Sequence, residues 1–226
     1  MANDMVFLIT GASTGIGAAT ARHAADAGYK VVLAARSEDK LRALADELGG
    51  LAVRCDVTEW DDQQALVART LEEYGRLDVA FANAGFGGAR GFKSATPEEW
   101  KSMVLTNVYG AALTIRAAYD ALVDARGHLL LTSSVAGRRA LPGSFYSVTK
   151  HAVTAMGEAA RQELTEHGVR VTLIEPGIVD TPFFDDKPQI EALQDDDIAR
   201  AVIYAVEQPA RVNVNEILVR PTAQAG

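Results

Sequence analysis

Short, β-rich apolar runs alternate with longer stretches of helical periodicity along the whole chain. Strands are expected at Val6–Thr10, Lys30–Ala34, Leu51–Cys55, Val79–Ala82, His128–Thr132, Arg170–Ile174 and Ile217–Val219. Helices are expected near Gly15–Ala27, Glu38–Leu48, Glu59–Tyr74, Pro97–Val123, Tyr146–His167 and Asp196–Glu207. Ser37, Thr58 and the Thr96-Pro97 pair serve as helix-start signals, and Gly28, Gly49, Gly75 and Gly168 as stops. Regular β–α alternation implies an α/β protein built on a parallel sheet with helices on both faces. Only Pro176 to Asp197 breaks the rhythm: it is rich in proline and acidic residues, contains Phe183-Phe184, and follows a strand end. Ligands of such sheets bind beyond strand ends, so residues 182–197 are read as a substrate-side loop.

With 226 residues the chain is long enough for a full core, and it reads as a single domain over 1–226. A net charge of −8 argues against a nucleic-acid groove, which needs a basic face. The one cysteine, Cys55, has no partner for an intramolecular disulfide, and its place at a strand end suggests a small buried residue. The four histidines share no spacing and read as core or surface residues rather than metal ligands. No basic leader segment and no run of about 18 apolar residues stands in the chain, so a cytoplasmic protein with no membrane partner is expected.

Two motifs carry chemistry. Gly11, Gly15 and Gly17, in Thr10-Gly-Ala-Ser-Thr-Gly-Ile-Gly17, directly follow the first strand and open the first helix. A glycine turn there permits tight turning, close backbone approach to a pyrophosphate, and close helix–strand packing. Tyr146 and Lys150 stand four residues apart on an expected helix and therefore share a face. A neighbouring ammonium favours phenolate and lowers the tyrosine pKa from about 10, making it a proton donor or acceptor for alcohol–carbonyl interconversion.

In this setting the chain resembles the short-chain dehydrogenase/reductase family, motif by motif from Val6 to about Thr181. Besides the two motifs above, the resemblance rests on Asp56-Val57, Ala82-Asn83-Ala84-Gly85, Asn107, Ser133-Ser134-Val-Ala-Gly137 and Pro176-Gly-Ile-Val-Asp-Thr181. It implies a Rossmann-type doubly wound parallel sheet of about seven strands. It also implies that Tyr146 is general acid in reduction and general base in oxidation. Lys150 would lower the tyrosine pKa and hold the nicotinamide ribose, Ser134 would bond the substrate oxygen, and Asn107 would hold a water in a proton relay. For the serine, Ser134 fits the family's SxxG frame, whereas Ser133 fits its usual spacing to the tyrosine; Ser134 is favoured with a loop one residue shorter.

By the same resemblance the cofactor would lie along Gly11, Ser13, Thr14, Gly15, Ile16 and Gly17, with Asp56 and Val57 at the adenine and Asn83, Ala84 and Gly85 beneath it. Thr181 and the backbone of Ile178 would hold the nicotinamide carboxamide, with Pro176 and Gly177 also at the cofactor and Tyr146 and Lys150 at the adjoining ribose. Arg36 ends the second strand, where an acidic residue would select NAD(H); arginine, with Ser37 beside it, favours NADP(H). The expected function is an NADP(H)-dependent oxidoreductase interconverting a secondary alcohol or hydroxy acid and its carbonyl. An NAD-linked alcohol dehydrogenase and a non-catalytic NADP(H)-binding regulator are the alternatives. A homodimer or homotetramer through the helices starting at Pro97 and Tyr146 is a further implication. The segments Phe86–Phe92, Pro142–Phe145 and Phe183–Ile190 hint at the substrate pocket, and Arg138, Arg139 and Lys187 are either solvated or attract an acidic substrate.

Overall fold

The computed structural model describes residues 4–181 and 190–224. Seven strands form one parallel sheet: β1 (Val6–Thr10), β2 (Lys30–Ala35), β3 (Leu51–Arg54), β4 (Val79–Ala82), β5 (His128–Thr132), β6 (Arg170–Pro176) and, after a two-strand excursion, β9 (Glu216–Val219). Their spatial order is β3-β2-β1-β4-β5-β6-β9. The direction of winding therefore reverses between β1 and β4, and the crevice beyond the carboxyl ends of those strands is where such sheets hold ligands. The excursion is a small parallel pair, β7 (Val179–Asp180) with β8 (Leu193–Gln194). It takes up part of the segment read as a loop; Phe183, Phe184, Lys187 and the rest of 182–189 lie outside the described residues.

Alternation along each strand feeds two cores. Leu8, Val32, Ala80, Leu129, Leu131 and Leu173 face one side, under helices α3 (Trp60–Tyr74), α5 (Ala111–Ala125) and α6 (Phe145–Leu164). Phe7, Ile9, Leu33, Phe81, Leu130 and Ile174 face the other, under α1 (Gly15–Asp26), α2 (Glu38–Leu48) and α7 (Asp195–Val206). Cys55 is buried at the end of β3, and burial pushes its thiol up to about 12, which leaves it unreactive at neutral pH.

Two local expectations change. Thr58 is not a helix cap: its hydroxyl and amide turn back to Asp56, and Glu59 takes the cap position. The single helix expected over Pro97–Val123 is instead α4 (Pro97–Val104), a wider π-helical turn at Leu105–Gly110, and then α5. The start is as expected, with Thr96 and Glu99 forming a reciprocal capping box. The widening has a tertiary cause. Gln63 of α3 donates from Nε2 to the carbonyl of Gly110, which also accepts from the Thr114 hydroxyl, so a carbonyl at the π turn is satisfied from outside the helix.

Candidate active site

The glycine turn forms the floor of the crevice. Gly11 has φ +66°, and a Cβ there would stand 2.8 Å from the Ala84 Cα; a Cβ on Gly17 would stand 2.3 Å from the Gly11 carbonyl oxygen. These positions accept no side chain. Asn83 sews the strand ends together: its Nδ2 donates to the Thr10 carbonyl at 3.1 Å and its Oδ1 accepts from the Thr132 hydroxyl at 3.0 Å. The amides of Asn83 and Ala84 both reach Thr10 Oγ1. At the opening of α1, exposed Thr14 makes no side-chain cap, which leaves the first-turn amides facing the crevice. Ser13 and Ile16 flank it, half-buried, and Thr181 faces Gly15, whose Cβ would lie 3.3 Å from the threonine side chain. A bare backbone cradle at a helix N-terminus fits the pyrophosphate of a dinucleotide.

On one side of this floor a cleft of about 320 Å³ is lined by Arg36, Asp56, Thr58, Phe86, Ser102, Leu105 and Thr106. Arg36 Nη1 stands 4.0 Å from Asp56 Oδ2, and the arginine side chain is 74% exposed, free to meet an anion. Burial pushes the Asp56 carboxyl up, but the Thr58 amide and hydroxyl and the charges of Arg36 and Arg54 outweigh it and hold the group below its usual range. Val57 is buried beneath, and Ser37 at the start of α2 makes no side-chain cap.

On the other side, α6 starts at Phe145 with the Ser144 hydroxyl capping the Ser147 amide. The first turn of α6 thereby sets Tyr146, and the second brings Lys150 beside it, with Nζ 5.6 Å from the tyrosine ring centroid. Lys150 is 3% exposed, and its ammonium donates to the Thr132 carbonyl at 2.6 Å. Gly85 leaves room for this packing, since a Cβ there would lie 3.1 Å from Asn107 Oδ1 and 3.6 Å from Lys150 Nζ. Asn107, on the π turn, donates to the Phe86 carbonyl and to Thr149 Oγ1 and accepts from the Phe86 amide. Thr149 in turn donates to the Tyr146 carbonyl. Burial lowers Lys150 to about 8, and burial raises the Tyr146 phenol, partly offset by the Ser134 hydroxyl bonded to it. Burial, rather than the lysine, dominates the phenol.

The two candidate serines separate clearly. Ser134 bonds Tyr146, accepts from the Ala136 amide and donates to the Pro176 carbonyl at 3.2 Å. Ser133 points away, to the Lys150 carbonyl and Thr154 Oγ1. Arg138 is not an isolated charge open to an acidic substrate: at an exposed position it is paired with Glu175 and Glu216, and Arg139 beside it is exposed as well.

Ile178 also differs from expectation. Its amide donates to Gln224 Oε1 at 2.9 Å and its carbonyl accepts from Leu193, so a nicotinamide carboxamide would have to displace the tail glutamine to reach that amide. The Gly177 amide is likewise used, by the Val219 carbonyl. Thr132, Gln63, Gln224 and the Arg138–Glu175 pair belong to no local motif, and only contacts distant in sequence bring them to the site. The Phe86–Phe92 and Pro142–Phe145 segments do meet. The Gly91 amide bonds the Gly143 carbonyl, and Trp100 stacks on Phe145 with centroids 5.1 Å apart.

Residues 5–192 match the model of the family described as short chain dehydrogenase. Human dehydrogenase/reductase SDR family member 11 is 35% identical over 98% of this chain and 95% of its own. An alcohol dehydrogenase from the archaeon Thermococcus sibiricus, solved with 5-hydroxy-NADP, superposes with a TM-score of 0.92 at 34% identity, covering 98% of each chain. The closed form of a serine dehydrogenase with NADP+ gives 0.93 at 30% identity, over 98% of this chain and 97% of that one.

Proposed function

Since the chain belongs to the short-chain dehydrogenase/reductase family, an oxidoreductase family, we propose that it interconverts a secondary alcohol or hydroxy acid and its carbonyl with NADP(H), the whole chain acting as one domain. The observation that carries this reading is the meeting of Ser134, Tyr146 and Lys150 at the rim of a glycine-floored crevice. When bound, NADP(H) supplies or accepts the hydride. The glycine turn and the α1 N-terminus would hold its pyrophosphate. Arg36 and Ser37 would hold the 2′-phosphate, Asp56 and Val57 the adenine, and Lys150 the ribose beside the reacting ring.

The residues of this chain do the rest. In reduction the Tyr146 phenol gives its proton to the substrate oxygen, and in oxidation it takes one back. Ser134 turns its hydroxyl from the Pro176 carbonyl to the same oxygen, stabilising the charge that develops there. The Lys150 ammonium favours the phenolate left behind, and Asn107 anchors the proton path behind it. Exposed Val104, Leu105, Tyr109 and Val148 on α4, the π turn and α6 support assembly into a homodimer or homotetramer through those helices.

The test is NADPH-dependent reduction of 2,3-butanedione and ethyl acetoacetate, together with NADP+-dependent oxidation of secondary alcohols and L-serine. Tyr146→Phe should lower turnover at least a thousandfold while NADPH affinity stays within about twofold. Unchanged turnover in that variant would overturn the assignment.

A further inference from the structure

The turn that carries Ser134 is seated at three points. Ser133 ties its start to α6, through the Lys150 carbonyl at 3.2 Å and Thr154 Oγ1 at 2.7 Å. Gly137 lets its end pack closely on the same helix; a Cβ there would stand 2.8 Å from the Lys150 carbonyl oxygen. The third seat is Arg138. Its Nε donates to both carboxylate oxygens of Glu175, at 2.7 and 2.9 Å, and Nη2 pairs with Glu216 on β9. Glu175 is 1% exposed and directly precedes Pro176, whose carbonyl receives the Ser134 hydroxyl.

A buried carboxylate is a costly way to fill space inside a sheet, because an apolar side chain packs there without losing hydration. What the pair supplies, and a leucine cannot, is direction: the guanidinium holds its donors in a rigid planar fork. The fork joins the end of the serine turn to β6, which carries the Ser134 acceptor, and to β9 beside it. We infer that Arg138 is a positioning residue for Ser134, holding with Glu175 and Glu216 the turn that keeps the serine hydroxyl between Tyr146 and Pro176. The inference rests on the reading that Ser134 polarises the substrate oxygen. Arg138 itself acts only through the serine turn.

The experiment uses Arg138→Met/Glu175→Met, which leaves no buried carboxylate orphaned, since Glu216 is solvent-exposed, and Arg138→Lys, which keeps the charge but not the fork. Three quantities are measured: NADPH affinity by nicotinamide fluorescence, kcat and KM for 2,3-butanedione reduction, and hydrogen exchange at the Ala136 amide, which is bonded to Ser134 Oγ. In the double variant NADPH affinity should stay within about twofold, Ala136 should exchange about tenfold faster, and kcat should fall about tenfold with KM nearly unchanged. Arg138→Lys should fall between it and the wild type. Wild-type exchange and wild-type kcat in either folded variant would reduce the pair to space filling and overturn the inference. If the wild-type protein reduces no carbonyl, the functional reading fails, while Ala136 exchange still decides whether the brace exists.

Discussion

The Lys150 ammonium donates to the Thr132 carbonyl at 2.6 Å, which places a charged group in the interior at the end of β5. One hydrogen bond does not replace its hydration, and burial lowers its pKa to about 8. The unfolded chain holds this proton up to about 10.4, so between the two values it binds more protons than the folded chain, and stability rises with pH across that window. Lys150→Met removes the term. Relative to the wild type, the variant should lose about 2 kcal/mol of its advantage between pH 7 and 9.5, read from urea unfolding at the two values. A pH-independent difference would mean that the lysine is well solvated. The same variant should be nearly inactive, so the charge is kept at a cost to the fold.

Arg36 and Asp56 face each other across the adenosine side of the crevice, too far apart at 4.0 Å for a strong exposed pair. A 2′-phosphate would be a better partner for the arginine than the aspartate is. Arg36→Asp should weaken NADPH binding at least tenfold, about 1.4 kcal/mol, and leave NADH binding within about threefold. Fluorescence titration of both nucleotides checks this. Equal loss for the two would show that the arginine senses no 2′-phosphate.

Much of this architecture was legible because its causes are local. Each sheet strand is a run whose own side chains demand burial, and each sits within a residue or two of its expected place. The glycine turn was equally readable, since Gly11 and Gly17 have no room for a Cβ. What escaped depends on partners far along the chain. Nothing in Leu105–Gly110 distinguishes it from ordinary helix; its widening is tied to Gln63, 47 residues earlier. Arg138 reads as a surface charge until β6 delivers Glu175 to it, 37 residues on. The Ile178 amide looked available because its acceptor, Gln224, lies 46 residues away in the tail.

Gln63 offers a direct test of the widened turn. Its buried Nε2 serves Val57, Gly110 and Thr114, so it joins the turn after β3 to the helix that carries Asn107. Gln63→Leu leaves buried acceptors without that donor and should cost about 2 kcal/mol, or roughly 4–8 °C in melting temperature. Turnover should fall more than NADPH affinity, because Asn107 sits on the loosened turn. A variant that melts like the wild type would show that the π turn is held by something other than this side chain.

His128 supplies the last prediction, one that concerns stability alone. Thr172 Oγ1 donates to the Val214 carbonyl, so it can only accept from His128 Nε2 at 2.7 Å. The proton is therefore on Nε2, and Nδ1 is buried with no partner among the described residues. Burial first, and then the charge of Arg170, hold the pKa well below 6.5 and keep the ring neutral. A folded value below the unfolded one means that the unfolded chain takes up the proton first, so stability is intact above about 6.5 and is lost as pH falls below it. The loss from this group between pH 7 and 5 should show as a fall in the urea midpoint, with a slope of at most about 1.4 kcal/mol per pH unit. In His128→Gln, which keeps a donor for Thr172 and has no group that titrates there, the urea midpoint should fall correspondingly less over the same range. An identical fall in both proteins would assign the acid sensitivity to other groups and imply that water reaches the His128 ring.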